Sequence, residues 1–344
     1  MTAVRKGAVN SARGIILINK TRGMTSFGVV SRLRRLTGIK RIGHCGTLDP
    51  FAVGLLPVCI GRATAAVQFM DGYDKTYLVK AVFGRATDSM DVDGATIEER
   101  SLNAAEINEM KADNFSIIYS GVASMIGTQQ QTPPMYSAVK VDGRPLYSYA
   151  REGKDIERKS RLIEVYNADV IAIQTDPEAN FLAADIRISC SKGTYIRVLI
   201  DELGRKTGLL AYAASLVRES CGPYQLAQAN DIEQLFDVSR QLPDQAAFVN
   251  LIRNDGRLLP VASAFAGYFS IEATCEDAVK LIQGKIISVL PYEITDKQIN
   301  SDSLLAVFFK EELIAVARIE LDEHQAAWLK TERVFTDLED FRSI

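Results

Sequence analysis

The chain has 344 residues, 47% of them hydrophobic and 24% charged, with 40 Lys+Arg against 43 Asp+Glu and a formal charge of −3. That length suits one large or two ordinary domains with a buried core, and no apolar run approaches the ~18 residues of a membrane-spanning helix. Two histidines, His44 and His324, argue against a His-rich metal centre, and five scattered cysteines without a C-x-x-C pair argue against a disulfide framework and fit a reducing cytosol.

The first 70 residues hold eleven Lys+Arg and one acid, Asp49, leaving 29 basic against 42 acidic residues in the remainder. So basic a segment points to a polyanionic partner. An organellar transit peptide shares that composition, but this segment reads as folded structure from Ile15 onward. Gly14–Asn19 is a short apolar strand ending in a turn at Lys20–Gly23. Thr25 or Ser26 caps a helix that runs to about Leu36 and stops at Gly38, with Phe27, Val30, Leu33 and Leu36 facing the core. Arg32, Arg34 and Arg35 fall elsewhere on it, and Lys40 and Arg41 follow; they form either a solvated face or a phosphate-contacting one.

A glycine-rich loop comes next, Gly43-His44-Cys45-Gly46-Thr47-Leu48-Asp49-Pro50, leading into apolar Gly54–Ile60. It has neither P-loop nor G-x-G-x-x-G spacing, so a nucleotide cradle has no support. Neighbouring side chains of an extended segment point apart, which disfavours a His44–Cys45 nucleophilic pair. Asp49 is the stronger candidate: the following proline keeps it out of the helical region, and glycines allow a ligand close to the backbone. A carboxylate on a rigid turn is either a nucleophile or the centre of a structural Asx-turn.

Lys75–Phe83 reads as a strand with Tyr77, Val79, Ala81 and Phe83 on one side. An acidic turn with Asp88, Asp91 and Asp93 follows, and then a helix over 102–113. Residues 129–160 are polar, basic and aromatic with little apolar periodicity, either a mobile binding loop, which would make them a thumb-like insertion, or a linker. Tyr136, Tyr147 and Tyr149 among Lys140, Arg144 and Arg151 favour a nucleic-acid surface. Phe181–Cys190 alternates as a half-buried strand, and a helix from Tyr195 or Ile196 to Thr207 ends at Gly208. Arg197 lies in that helix's first turn, where the dipole disfavours a cation, so a carboxylate or phosphate partner would explain it, as would solvation. Composition shifts at 242–244. Beyond it, short strands, a Leu304–Ile319 hairpin turning at Lys310–Glu312 and a closing Lys330–Phe335 predict a small β-rich domain.

Gly43–Val58 resembles the catalytic motif of the TruB-type tRNA pseudouridine synthases. Four more blocks follow in that family's order: Lys75-Thr76-Tyr77, Thr87–Gly94, Gln131–Lys140 and Cys190–Gly204. The resemblance covers roughly residues 14–225. It implies an α/β (α+β) pseudouridine synthase fold with a mixed, largely antiparallel sheet, a catalytic domain at 1–243 and a β-rich, PUA-like domain at 244–344. It further implies isomerisation of uridine, typically uridine 55 of the tRNA T-loop, with no metal or organic cofactor. The family's catalytic aspartate falls on Asp49, the tyrosine that packs on the base on Tyr77, and the arginine of the Cys190–Gly204 block on Arg197, where a guanidinium would hold Asp49 ionised and oriented. The wedge histidine falls on His44, the tyrosine of the Cys190–Gly204 block on Tyr195, and a leucine lining the uracil pocket on Leu216. Arg34, Arg35 and Lys140 are expected to contact RNA. The implied partner is the T-arm of tRNA, with no membrane or protein partner, in the cytoplasm. A guide-RNA-dependent synthase of the archaeal and eukaryotic type is the competing reading of the same motifs, and a non-catalytic RNA-binding protein another. Three features depart from the family: Cys45 in place of the usual threonine, Ala65 in place of a common lysine, and twelve acids against six bases over 293–344, a poor balance for binding phosphate.

Overall fold

The computed structural model describes residues 12–289, 303–324 and 326–342. Arg5, Lys6 and part of the acidic C-terminal stretch lie outside them. Two sheets organise the chain. The larger has eleven strands, and its main path runs 230–231, 14–20, 53–60, 211–221, 75–83, 181–190, 161–176 and 127–131. Every pairing in it is antiparallel except those of 14–20 with 230–231 and of 53–60 with 211–221. The smaller sheet has five strands in the order 269–272, 304–309, 312–321, 327–334, 287–288. This is the mixed, largely antiparallel architecture expected.

Strand Gly14–Lys20 is a continuous apolar run because both its faces are covered. Ile16 and Ile18 enter one hydrophobic cluster with the helices, while Ile15 and Leu17 enter a second that includes Ala306 and Val316 of the smaller sheet and Phe335 just past its 327–334 strand. Each such fully buried side chain is worth roughly 1.5–3 kcal/mol against an exposed one. The two sheets therefore share a core instead of hanging on a linker. Helix Gln245–Asn254 packs on helix Ser26–Thr37, and Leu258–Leu259 pairs with Gly14–Lys20, so the residues just past the shift at 242–244 belong with the large sheet.

Strand Lys75–Phe83 alternates as predicted, with Tyr77, Val79, Ala81 and Phe83 buried. Helix Ile196–Thr207 ends at Gly208 in the left-handed region, φ 68°. The hairpin turns at Lys310 and Glu311, both with positive φ, and strand resumes at Glu312. One expectation fails. Phe27 is 62% exposed, and the buried face of helix Ser26–Thr37 is Ser26, Val29, Val30, Leu33, Leu36 and Thr37. Ser26 takes the inward place because its Oγ accepts from the Leu48 N–H at 2.9 Å and donates to the Leu48 carbonyl at 3.1 Å. A helix position ~100° away then faces out.

The basic N-terminal segment is not a bare cationic face. Acids from distant parts of the chain return to it: Glu312 to Arg13, Asp93 to Arg22, Glu233 to Arg32 and Asp337 to Arg62. Lys20 is fully buried. Arg35, Lys40 and Arg41 are exposed, and among the described residues no carboxylate pairs with them. Such surface pairs add little stability, but they cancel charge where the linear count showed a large excess.

Candidate active site

Asp49 sits at the end of the 43–50 loop with its side chain 30% exposed, and its Oδ2 lies 2.8 Å from Arg197 Nε. The Nε–H is not aligned on that oxygen, so the contact is an ion pair rather than a hydrogen bond. Arg197 is 2% exposed and spends the rest of its guanidinium on the Ser89 carbonyl (2.7 Å), the Tyr136 carbonyl (2.7 Å) and Asp91 Oδ2 (3.3 Å). A buried cation at a helix N-terminus is thus offset by two carboxylates and two carbonyls. Burial raises the Asp91 carboxyl, opposed by the hydrogen bond from Ser89 Oγ (2.6 Å) and by Arg197.

The loop bearing Asp49 is clamped by two buried cations. Arg218, 1% exposed, donates from Nε to the Leu55 carbonyl at 2.6 Å and from its terminal nitrogens to the Gly46 carbonyl at 3.3 Å and the Cys45 carbonyl at 3.5 Å. Lys20 Nζ donates to the carbonyls of Thr21 (3.2 Å), Met24 (2.7 Å) and Pro50 (3.4 Å). Gly54, at φ 101°, is required here: a Cβ on it would stand 2.5 Å from the Arg218 carbonyl.

Burial lowers Lys20 from 10.5 to about 8, with Asp49 opposing and Arg218 adding to the fall. Between those two values the unfolded chain holds this proton and the folded chain has released it, so Lys20 makes stability rise with pH across that window. Urea unfolding of the wild type and Lys20→Met at pH 7 and pH 10 is expected to show their difference move in favour of the wild type by about 2 kcal/mol. A difference independent of pH would remove Lys20 from this account.

Two cavities meet at Asp49. One of about 830 Å³ is lined by Asp49, Lys75, Tyr77, Tyr195, Arg197, Leu216 and Arg218 among others. The other, of about 720 Å³, is lined by Phe27, His44, Asp49, Asp91, Tyr147 and Arg151 among others. Thr47, Leu48, Asp49, Ser137, Ala138 and Arg197 line both. Tyr77 is 8% exposed, and burial pushes its phenol well above the ordinary value. Burial likewise lowers His44, with Arg218 adding to the fall, which keeps the imidazole neutral. Tyr195 is set by Gln131, whose side-chain amide accepts from the Tyr195 N–H at 2.7 Å and donates to its carbonyl at 3.1 Å, while Arg161 lies 4.6 Å over its ring.

Of the residues singled out in the sequence, the structure gathers Asp49, Tyr77, Tyr195, Arg197 and Leu216 into one cleft and sets His44 in the adjoining cavity. It does not bring Arg34, Arg35 or Lys140 into either. Arg34 lies 5.5 Å from the Phe27 ring and Arg35 5.9 Å from the Phe236 ring. Lys140 is exposed on a two-residue strand within the thumb-like insertion. That insertion carries a short hairpin and a helix, Leu146–Arg151, although its sequence has little apolar periodicity. Lys20 and Arg218 are not among the candidates, because no local signal separates a clamping cation from a solvated one, and Gln131 enters only as the first residue of the Gln131–Lys140 block.

Residues 34–196 match the model of the TruB family pseudouridylate synthase, N-terminal domain. The tRNA pseudouridine synthase B of Geobacillus thermodenitrificans is 36% identical over 278 residues, 80% of this chain and 85% of that protein. The chain belongs to the TruB family.

The enzyme of the same name from Lactobacillus gasseri is 42% identical over 226 residues, 64% of this TruB-family chain and 73% of its relative. Among solved structures, a chain of a Cbf5-Nop10-Gar1 complex superposes with a TM-score of 0.68 at 21% identity, covering 98% of this chain and 88% of that one. At that identity the likeness establishes the pseudouridine synthase fold, including the region of the smaller sheet. Among the described residues of this TruB-family chain no helix is long and apolar enough to cross a membrane.

Proposed function

We propose that this chain isomerises uridine to pseudouridine in tRNA, at uridine 55 of the T-loop, with Asp49 as the attacking group. The observation that carries this reading is the asymmetry of the two carboxylates on Arg197. Asp91 is 8% exposed, while Asp49 is 30% exposed and faces both cavities. Breaking the N-glycosidic bond, turning the uracil and rejoining it through C5 needs one attacking or charge-stabilising carboxylate rather than an acid–base pair. Attack on C1′ of the ribose and attack on C6 of the base both place the same demand on Asp49. Arg197 orients it.

The uridine must leave its stack to reach a carboxylate recessed in this way. His44, which lines the smaller cavity together with Asp49, suits the gap left in the T-loop. Tyr77 and Leu216 provide apolar surface for the flipped base. Because burial keeps the Tyr77 phenol protonated, it serves as a packing surface and hydrogen-bond donor, and it takes the C5 proton only after losing its own. Arg35, Lys40 and Arg41 on the body, with Arg151 and Tyr147 on the insertion, suit phosphate and base contacts. Five free thiols fit the cytoplasm.

A T-arm stem-loop transcribed with [5-³H]uridine tests the reading, because the C5 hydrogen leaves when C5 becomes the glycosidic carbon. Tritium release is expected from the bare stem-loop, without guide RNA or other protein, and should stop when the target uridine is replaced by cytidine. No release from the bare stem-loop overturns the reading in favour of the guide-dependent one.

A further inference from the structure

Behind the lining of the larger cavity, Cys45 and Cys221 are both fully buried with their sulfurs 3.9 Å apart. Cys45 belongs to the loop that ends in Asp49. Cys221 closes the strand that carries Arg218, three residues earlier, and is paired on one side with Lys75 and on the other with Tyr224. Neither thiol has a part in the isomerisation as read above.

We propose that this pair is a modification site: a hydroperoxide converts it to a Cys45–Cys221 disulfide, which displaces the Asp49 loop and reversibly inactivates the enzyme. The activity arm of this inference rests on the isomerase reading; the bond itself does not. A disulfide requires the sulfurs at about 2.05 Å, so their separation must shorten by about 1.9 Å from the 3.9 Å present. Cys221 is held in the ladder between two strands, so the movement falls on Cys45. The Cys45 N–H donates to the Pro57 carbonyl at 2.9 Å, and its carbonyl, with that of Gly46, is held by Arg218. Pulling Cys45 toward the strand works against the contacts that set the loop, and Asp49 lies four residues on.

The chemistry balances with one peroxide. The hydrogen bond with Cys45 and the cations of Arg218 and Lys75 draw Cys221 toward thiolate against its burial, while Cys45 is pushed up, so Cys221 is the attacking sulfur. It takes one peroxide oxygen as the O–O bond breaks, and the departing hydroxide leaves as water after protonation. The Cys45 sulfur then displaces hydroxide from the Cys221 sulfenic acid, and that hydroxide leaves with the Cys45 proton as a second water. The two thiols are oxidised by two electrons and the peroxide is reduced by two. Gly46, Lys75 and Arg218 line the cavity beside the pair, so entry is from the cleft, and bound RNA should slow the reaction.

The test uses the full chain carrying Cys275→Ser, which removes the exposed thiol. Treatment with hydrogen peroxide is expected to give a Cys45–Cys221 cross-linked peptide, lighter by two hydrogens, and at least a tenfold fall in the single-turnover rate that dithiothreitol restores. Bound T-arm RNA should delay both. Each variant is compared with itself before and after oxidant, and Cys45→Thr and Cys221→Ala are each expected to hold their own rate within twofold. Absence of the cross-link overturns the inference even where the isomerase reading stands, as does equal loss of rate in the cysteine variants. A cross-linked chain inactive on uridine before and after reduction overturns the isomerase reading instead.

Discussion

Asp49→Asn is expected to lower tritium release from a [5-³H]uridine T-arm by about 10⁴-fold or more, the scale seen when a group acting directly on the reacting atoms is removed. The substitution keeps the shape of the side chain and a carbonyl oxygen, and removes the negative charge and the nucleophilic electron pair. It should not unfold the chain, because Arg197 keeps Asp91 and the carbonyls of Ser89 and Tyr136 as partners. Binding of the T-arm should stay within a few-fold of the wild type, since the phosphate contacts proposed for Arg35, Lys40 and Arg41 lie elsewhere. Release within tenfold of the wild type would remove Asp49 as the attacking group. It would leave a folded RNA-binding protein that uses the same cleft, the reading this experiment separates most cleanly.

What the sequence made legible follows from how local the signal is. Period-two alternation found the Lys75–Phe83 strand and its buried Tyr77, and period-3.6 spacing with a glycine stop found the helix carrying Arg197. The Gly43–Pro50 loop was legible only through its motif. Hydrophobicity alone would turn Phe27 inward. Ser26, with two hydrogen bonds to Leu48, decides it instead. The electrostatic picture was the least legible part. Arg13 and Glu312 stand 299 positions apart, as do Arg32 and Glu233 by 201, and no window along the chain contains both members of either pair. The same holds for Arg218, whose carbonyl acceptors lie 163 to 173 positions away. The lone acid among the eleven bases of the first 70 residues is paired with a cation outside that segment, Arg197.

Arg197→Met is expected to cost about 10²- to 10³-fold in the single-turnover rate, the equivalent of roughly 3–4 kcal/mol. Binding of the T-arm should change far less. Arg197 is almost fully buried, and its removal strands two carboxylates and two carbonyls that now share it. Taking one partner from a buried ion pair is expected to destabilise the fold as well, by about 3–5 kcal/mol, so a loss of rate in this variant alone would be ambiguous. Arg197→Lys resolves the ambiguity. Lysine restores the charge but offers one compact ammonium in place of a planar fork that reaches four oxygens on three segments. A folded Arg197→Lys chain should recover most of the urea midpoint while its single-turnover rate stays at least tenfold low, because the direction in which Asp49 is held is set by the fork and not by the charge. If Arg197→Lys instead turns over at the wild-type rate, net charge alone accounts for Arg197. The orientation of Asp49 would then have to come from the clamp of Lys20 and Arg218 on its loop.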